Sequence, residues 1–100
     1  MMKQSYLSII GLAYRAQKCA TGTETIIEQI RMKKAKLILI AKDTSDRTKK
    51  QLHDKCNTYH IPYIEVGDRK TLGSAIGKSD RVAIAILDKG FANKLQTLLL

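Results

Sequence analysis

The residues best suited to covalent chemistry in this sequence are two histidines, His53 and His60, and two cysteines, Cys19 and Cys56. A thiol beside an imidazole is the pair that nucleophilic catalysis uses, because the imidazole takes the proton and leaves a thiolate. Cys56 lies between the two histidines in sequence, so such a pair is conceivable. The surroundings argue against it. Cys56 shares an apolar stripe with Leu52, which predicts burial, and a thiol in apolar surroundings keeps its proton. The histidines form no His-Glu-x-x-His pattern or other ligand cluster. Both are read as solvated surface residues. The cysteines lack metal-ligand spacing and are read as reduced packing residues rather than a disulfide. No Gly-x-Gly-x-x-Gly fingerprint or phosphate loop is present, and the acidic residues are scattered as caps and turn formers. The expectation is a protein with no catalytic activity, no cofactor and no metal.

What remains is positive charge. Lysine and arginine number 18 against 9 aspartates and glutamates, a net charge of +9 in 100 residues. Such an imbalance creates a field that attracts polyanions. Solubility, or affinity for an acidic protein or membrane surface, is the plainer reading; nucleic acid is the commoner partner of a chain this basic. The cations fall into groups. Lys33, Lys34 and Lys36 precede an apolar run, and Arg47, Lys49, Lys50 and Lys55 stud a charged segment. Each of these reads first as a solvated face. Arg69 with Lys70, and Lys78 with Arg81, lie near glycines, where a phosphate backbone can approach closely and backbone N–H groups can join the cations. Five aromatic residues and no tryptophan give no stacking platform for single strands. Recognition of a folded RNA shape fits better.

These groups need a frame to hold them. The length favours one domain, residues 1–100. No stretch of about 18 apolar residues suggests a membrane span. Gln4, Ser5, Tyr6 and Ser8 interrupt any signal-peptide pattern in Met1 to Tyr14, so a cytoplasmic protein with no membrane partner is expected. Leu7, Ile10 and Tyr14 recur at helical spacing, predicting a helix from about Lys3 to Gln17. Lys18 to Gly22 is a breaker, with a short strand near Cys19. A second helix carries Ile26, Ile27 and Ile30 on one face, and Thr21-Gly22-Thr23-Glu24 has the spacing of a capping box at its entry. Thr25 and Glu28 repeat that spacing.

Leu37 to Ala41 is an unbroken apolar run, which suits a strand covered on both faces. Asp43, Thr44 and Ser45 offer cap chemistry for a third helix, with Thr48, Leu52, Cys56 and Tyr59 inward. Tyr63 to Val66 reads as a strand, Gly67 to Lys70 as a polar loop, and Leu72 to Ile76 as a short helix closed by Gly77. Val82 to Leu87 is a second covered strand. Asp88-Lys89-Gly90 reads as a turn before a last helix with Phe91, Leu95, Leu98 and Leu99 as its stripe. Helices alternating with apolar strands predict an α/β fold, a sheet of about four strands, mixed in direction, between two helical layers.

With these elements in place, a resemblance emerges. Gly22-Thr23-Glu24-Thr25-Ile26-Ile27-Glu28-Gln29-Ile30, followed by Ala35-Lys36-Leu37-Ile38-Leu39-Ile40-Ala41, resembles the heart of the kink-turn-binding ribosomal-protein superfamily. Lys55-Cys56, Ile61-Pro62, Leu72-Gly73-Ser74-Ala75-Ile76-Gly77-Lys78 and Arg81-Val82 match in order. The ending, Asp88 to Leu95, is similar to the bacterial YlxQ-type branch. The resemblance covers nearly the whole chain, and its strength lies in order and spacing rather than in any one motif. It implies a three-layer α/β/α sandwich and no catalysis. It also implies docking of one edge onto a sharply bent RNA duplex with tandem sheared G·A pairs. In that mode the second helix's first turn meets the RNA and a later loop closes over an extruded base.

Carried over residue by residue, Gly22 matches the glycine that lets the backbone approach RNA. Thr23 follows it in the same turn. Glu24 and Thr25 stand where relatives carry a polar pair. Glu28 stands where many carry a lysine, so its charge is reversed, with Arg31 one turn on to offset it. Val66, Gly67, Asp68, Arg69 and Lys70, before Leu72 and Gly73, match the covering loop. Lys78 and Arg81 match a Gly-Lys-x-x-Arg element, and Lys18 is expected at the same edge. The resemblance therefore implies a non-catalytic protein for structured, kink-turn-like RNA, associated with the ribosome. Its partners would be structured RNA, with ribosomal RNA as one candidate, and translation-associated proteins. The alternative is a protein-interaction or regulatory module that kept the fold and lost kink-turn recognition.

Overall fold

A computed structural model of the chain describes residues 5–100. The elements are α1 (Tyr6–Arg15), β1 (Cys19–Thr21), α2 (Thr23–Arg31), β2 (Leu37–Ile40), α3 (Asp46–Tyr59), β3 (Tyr63–Glu65), α4 (Arg69–Ala75), β4 (Ala83–Ile86) and α5 (Lys89–Leu99). The sheet order is β1-β4-β2-β3. β2 and β3 are parallel, joined by the crossover helix α3, and β4 runs antiparallel to both β1 and β2. This is the mixed four-stranded sheet expected from the sequence.

The two central strands are the two apolar runs. Every residue of β2 and β4 is fully buried, because helices cover both faces. Leu37 and Leu39 of β2, with Ile84 and Ile86 of β4, pack against α1, α4 and α5. Ile38, Ile40, Ala83 and Ala85 face α2 and α3. The alternation of isoleucine and alanine in β4 has a steric consequence. Its alanines lie on the side that receives Ile26, Ile27 and Ile30 of α2, so small residues on the sheet meet large ones on the helix. The edge strands β1 and β3 are three residues long and half-buried.

The helices show why local chemistry was readable and where it misleads. Ser45 caps α3, its hydroxyl accepting from Thr48 N–H at 3.3 Å, and Asp88 caps α5 by accepting from Phe91 N–H at 2.9 Å. Asp88-Lys89-Gly90 is thus a cap and a first turn, not a separate turn. The expected capping box of Thr21 and Glu24 does not form. Thr21 pairs with Ile84 in β1, and Gly22 is the N-cap of α2, with no side-chain cap bond. α1 begins after Ser5, whose hydroxyl accepts from Ser8 N–H, and the start expected at Lys3 lies outside the described residues. Leu98 leaves the stripe expected of α5: it is 45% exposed, whereas Leu95 is fully buried.

Both cysteines are free. Burial pushes the Cys19 thiol up to about 12 and the Cys56 thiol up to about 11, so neither is a thiolate at neutral pH. His53 is not the solvated residue expected. Its ring stacks on Tyr63 with centroids 4.4 Å apart, and Nε2 lies 3.1 Å from a Glu65 carboxylate oxygen without the alignment of a hydrogen bond. The cause is tertiary, because α3 crosses back over the strand that follows it.

Leu39→Ala should cost about 2–5 kcal/mol, as buried leucine truncations do. The measurement is a urea midpoint shift at unchanged m-value. Native protein at neutral pH should react with iodoacetamide far more slowly than a free thiol. Unfolding in urea should expose both cysteines to fast labelling.

Candidate nucleic-acid interface

Strand directions decide which loops meet. β1 and β2 each run antiparallel to β4, and β3 runs parallel to β2. β1, β2 and β3 therefore all end at the same end of the sheet, where β4 begins. The helices that follow those three strands, α2, α3 and α4, all start there. Three helix N-termini, each with unpaired N–H groups and a partial positive charge, gather around one end of the sheet.

The three termini differ in what occupies them. α3 is capped by Ser45 and α4 by Asp68, whose carboxylate accepts from Thr71 N–H at 2.7 Å. α2 has only Gly22 at its N-cap, at φ 88, ψ 127. That backbone region is open to glycine and strained for other residues. With no side chain over the first turn, the N–H groups of Thr23, Glu24 and Thr25 face outward at a surface where Gly22, Glu24 and Thr25 are exposed. An uncapped helix N-terminus of this kind is suited to phosphate oxygens or base acceptors.

The second group is assembled by long-range hydrogen bonds. Val66 N–H donates to the Ile40 carbonyl at 2.9 Å, and Lys42 N–H donates to the Gly67 carbonyl at 3.0 Å. Gly67 has φ 63, and a Cβ there would lie 2.9 Å from the Tyr6 hydroxyl. Arg69 and Lys70 are not loop residues, because Asp68 starts α4 immediately before them. The physical reason is the Asp68 cap. Hydrogen bonds from Thr71, helped by Lys70, hold its carboxyl below the usual value. Burial and the nearby Asp68 raise the Tyr6 hydroxyl. Asp43, from the β2–α3 loop, grips Arg69 twice: Oδ1 accepts from its backbone N–H at 2.9 Å and Oδ2 from Nε at 3.3 Å.

The third group folds back on α4. Arg81 N–H donates to the Arg69 carbonyl at 3.0 Å, and Lys78 N–H donates to the Gly73 carbonyl at 2.9 Å. Gly73 must be glycine, since a Cβ would run into the Ser79 carbonyl. The Arg81 guanidinium turns along its own loop, donating to the carbonyls of Ser79 and Asp80 at 3.2 and 2.9 Å. Lys70 and Lys78 are exposed and make no ion pair among the described residues.

Gly22, Thr23, Glu24, Thr25, Val66, Gly67, Arg69, Lys70 and Arg81 thus lie at one end of the sheet, with Lys78 held further along α4 against Gly73. Glu28 is exposed one turn further along α2 and sits 3.9 Å from Arg31, a weak surface pair. Leu72 and Gly73 are buried, so they position α4 and the following turn instead of offering side chains to a ligand. Lys18 does not lie at the edge expected for it. Its carbonyl accepts from Leu87 N–H at 2.7 Å, which puts it before β1 at the opposite end from Gly22. Lys42 and Tyr6 belong to the assembly without a sequence signal, and Asp43, expected as cap chemistry for α3, holds Arg69 instead. Asp43 lies 26 positions from the arginine it holds.

Known proteins share this architecture. Residues 4–96 match the Ribosomal protein L7Ae/L30e/S12e/Gadd45 family. The chain is 46% identical over 99 residues to the RNA-binding protein YlxQ of Bacillus subtilis strain 168, with 99% of both chains covered. A solved structure from Bacillus halodurans C, described as a protein with unknown function, matches with a TM-score of 0.93 at 41% identity, covering 97% of this chain and 98% of that one. The Giardia lamblia 15.5kD RNA binding protein matches with a TM-score of 0.77 at 21% identity over 99% of this chain and 88% of that one, a likeness of fold. A three-layer α/β/α sandwich with an open glycine-capped helix start beside the Val66–Asp68 loop, matched by a family model along nearly its full length, makes this chain a member of the Ribosomal protein L7Ae/L30e/S12e/Gadd45 family.

Proposed function

We propose that residues 1–100 form one non-catalytic RNA-binding domain that recognises structured, kink-turn-like RNA, with ribosomal RNA as the expected class. The observation that carries this reading is the uncapped N-terminus of α2 at Gly22, set at the same end of the sheet as the Gly67–Lys70 segment and Arg81. Helix N–H groups would donate to the base edges and phosphates of a bent duplex. Lys70 and Lys78 would neutralise phosphates, and Gly67 would let the backbone close over an extruded base. The 46% identity to a protein called RNA-binding supports the ligand class. Such a protein works in the cytoplasm beside translation components, without a cofactor.

Glu28 favours a second reading. It projects from α2 on the same face as Glu24, at i+4, where an acid repels phosphate. A protein-interaction module on the same fold is the alternative that this residue supports. The two readings separate experimentally.

Arg69→Ala with Lys70→Ala should weaken RNA binding by about tenfold or more and lower the slope of log K against log salt by roughly 0.9 for each phosphate no longer neutralised. An unchanged slope rules out this end as the site. In a gel shift, kink-turn RNA should bind more tightly than the same RNA with its G·A pairs replaced. Glu28→Lys should tighten binding if this turn faces RNA. Equal binding of both RNAs, and no effect of Glu28→Lys, would favour the interaction module.

A further inference from the structure

The end of the sheet away from Gly22 carries a second concentration of positive charge. Lys18 precedes β1 and Lys36 precedes β2. They flank Leu87, because Leu87 N–H donates to the Lys18 carbonyl and Lys36 N–H donates to the Ile86 carbonyl, each at 2.7 Å. Two strand spacings put their backbones about 10 Å apart. The pleat sets their direction. Cys19 and Leu37, the next residues, pack on the α1 side. Lys18 and Lys36 therefore lean to the other face, where Leu87 packs, at the C-terminus of α2. There Lys33 and Lys34 are exposed, folded under the helix by bonds from their N–H groups to Ile30 and Gln29 at 3.0 Å. Lys33 holds φ 59, a left-handed position that glycine adopts at lower cost.

A helix C-terminus attracts cations, but its dipole amounts to only about half a charge. Lys36 already answers it, with Nζ donating to the Lys33 carbonyl at 3.2 Å. Lys18, Lys33 and Lys34 remain, none in an ion pair among the described residues. Arg31 is turned toward Glu28. We propose that Lys18, Lys33, Lys34 and Lys36 form a second RNA site, taking the phosphodiester backbone of an RNA segment separate from the one at the N-terminus of α2. Lysines are point charges without the bidentate fork that reads base edges, so they suit phosphates. The segment is separate because α2, about 14 Å long, exposes Glu28 between the two sites. A single duplex laid along the helix would meet this carboxylate before it reached the lysines. The protein then holds two RNA segments at its two ends. Only the identity of the first segment rests on the function proposed above.

The test uses the full chain and two labelled probes, a short-stemmed kink-turn RNA and an unbent RNA duplex of about 16 base pairs. Lys33→Glu with Lys34→Glu is compared with Lys18→Glu, which alters a different element, and melting temperatures verify folding. The unaltered protein should bind both RNAs at once in a co-migrating complex. The variants should keep kink-turn affinity within about twofold and lose about tenfold or more for the duplex. Their duplex salt slope should fall by at least roughly 0.9 per lysine removed. Competition between the two RNAs for the unaltered protein, or duplex binding indifferent to both variants, overturns the proposal. If lengthening one stem of the kink-turn RNA by about ten base pairs tightens binding and expels the duplex, the separate segment is overturned. Duplex binding that the variants lose, with no kink-turn binding by any form, supports this patch and removes the function proposed above.

Discussion

The insertion of β4 between β1 and β2 is the constraint on which the rest of this structure depends. β4 is the last strand in sequence, yet it is central in the sheet and pairs antiparallel on both sides. Its backbone satisfies the inner edges of two strands that do not pair with each other, and burying both its faces leaves every residue from Ala83 to Ile86 without solvent. Without it β1 would have no partner. The loop that leads into it, from Gly77 to Arg81, would have no reason to fold back onto α4.

The same pairing sorts the electrostatics. Because β1, β2 and β3 point one way, the positive N-termini of α2, α3 and α4 gather at one end. At that end carboxylates are mixed with cations, and several of these groups are engaged: Asp43 holds Arg69, Asp68 caps α4, and Arg81 follows the carbonyls of its own turn. The surface offers directed donors and a few lysines outside any ion pair among the described residues, an arrangement suited to shape and geometry. The opposite end differs in kind. Lys18, Lys33, Lys34 and Lys36 surround a helix C-terminus, with no carboxylate among the described residues paired to them, an arrangement suited to net charge. Net charge read from composition could not separate these two.

Much of the fold was legible because it depends on local rules. The runs Leu37–Ala41 and Val82–Leu87 can be uninterrupted only where both faces are covered, and Ser45 is an ordinary cap, whose partner is three residues away. Asp68 and Asp88 follow the same rule, but their segments read as a loop and a turn because glycine and lysine beside them mask a helix start. The capping box at Thr21 misled for a different reason. Thr21 is needed by the sheet, and pairing with Ile84 moves the helix start onto Gly22. His53 looks solvated in sequence because its neighbours on the helix are charged, whereas its partners, Tyr63 and Glu65, come from the next strand.

By itself, the sequence determined the class of fold, the two covered strands, the buried Cys56 thiol and the glycines that any close backbone approach requires, because each is a property of a residue and its near neighbours. Only the tertiary structure decided which of the basic groups stand together. Lys18 and Gly22 are four positions apart yet lie at opposite ends of a strand, while Asp43 and Arg69 are joined across 26 positions. Strand direction and register, set by hydrogen bonds between distant segments, carry that information, and no local pattern of side chains contains it.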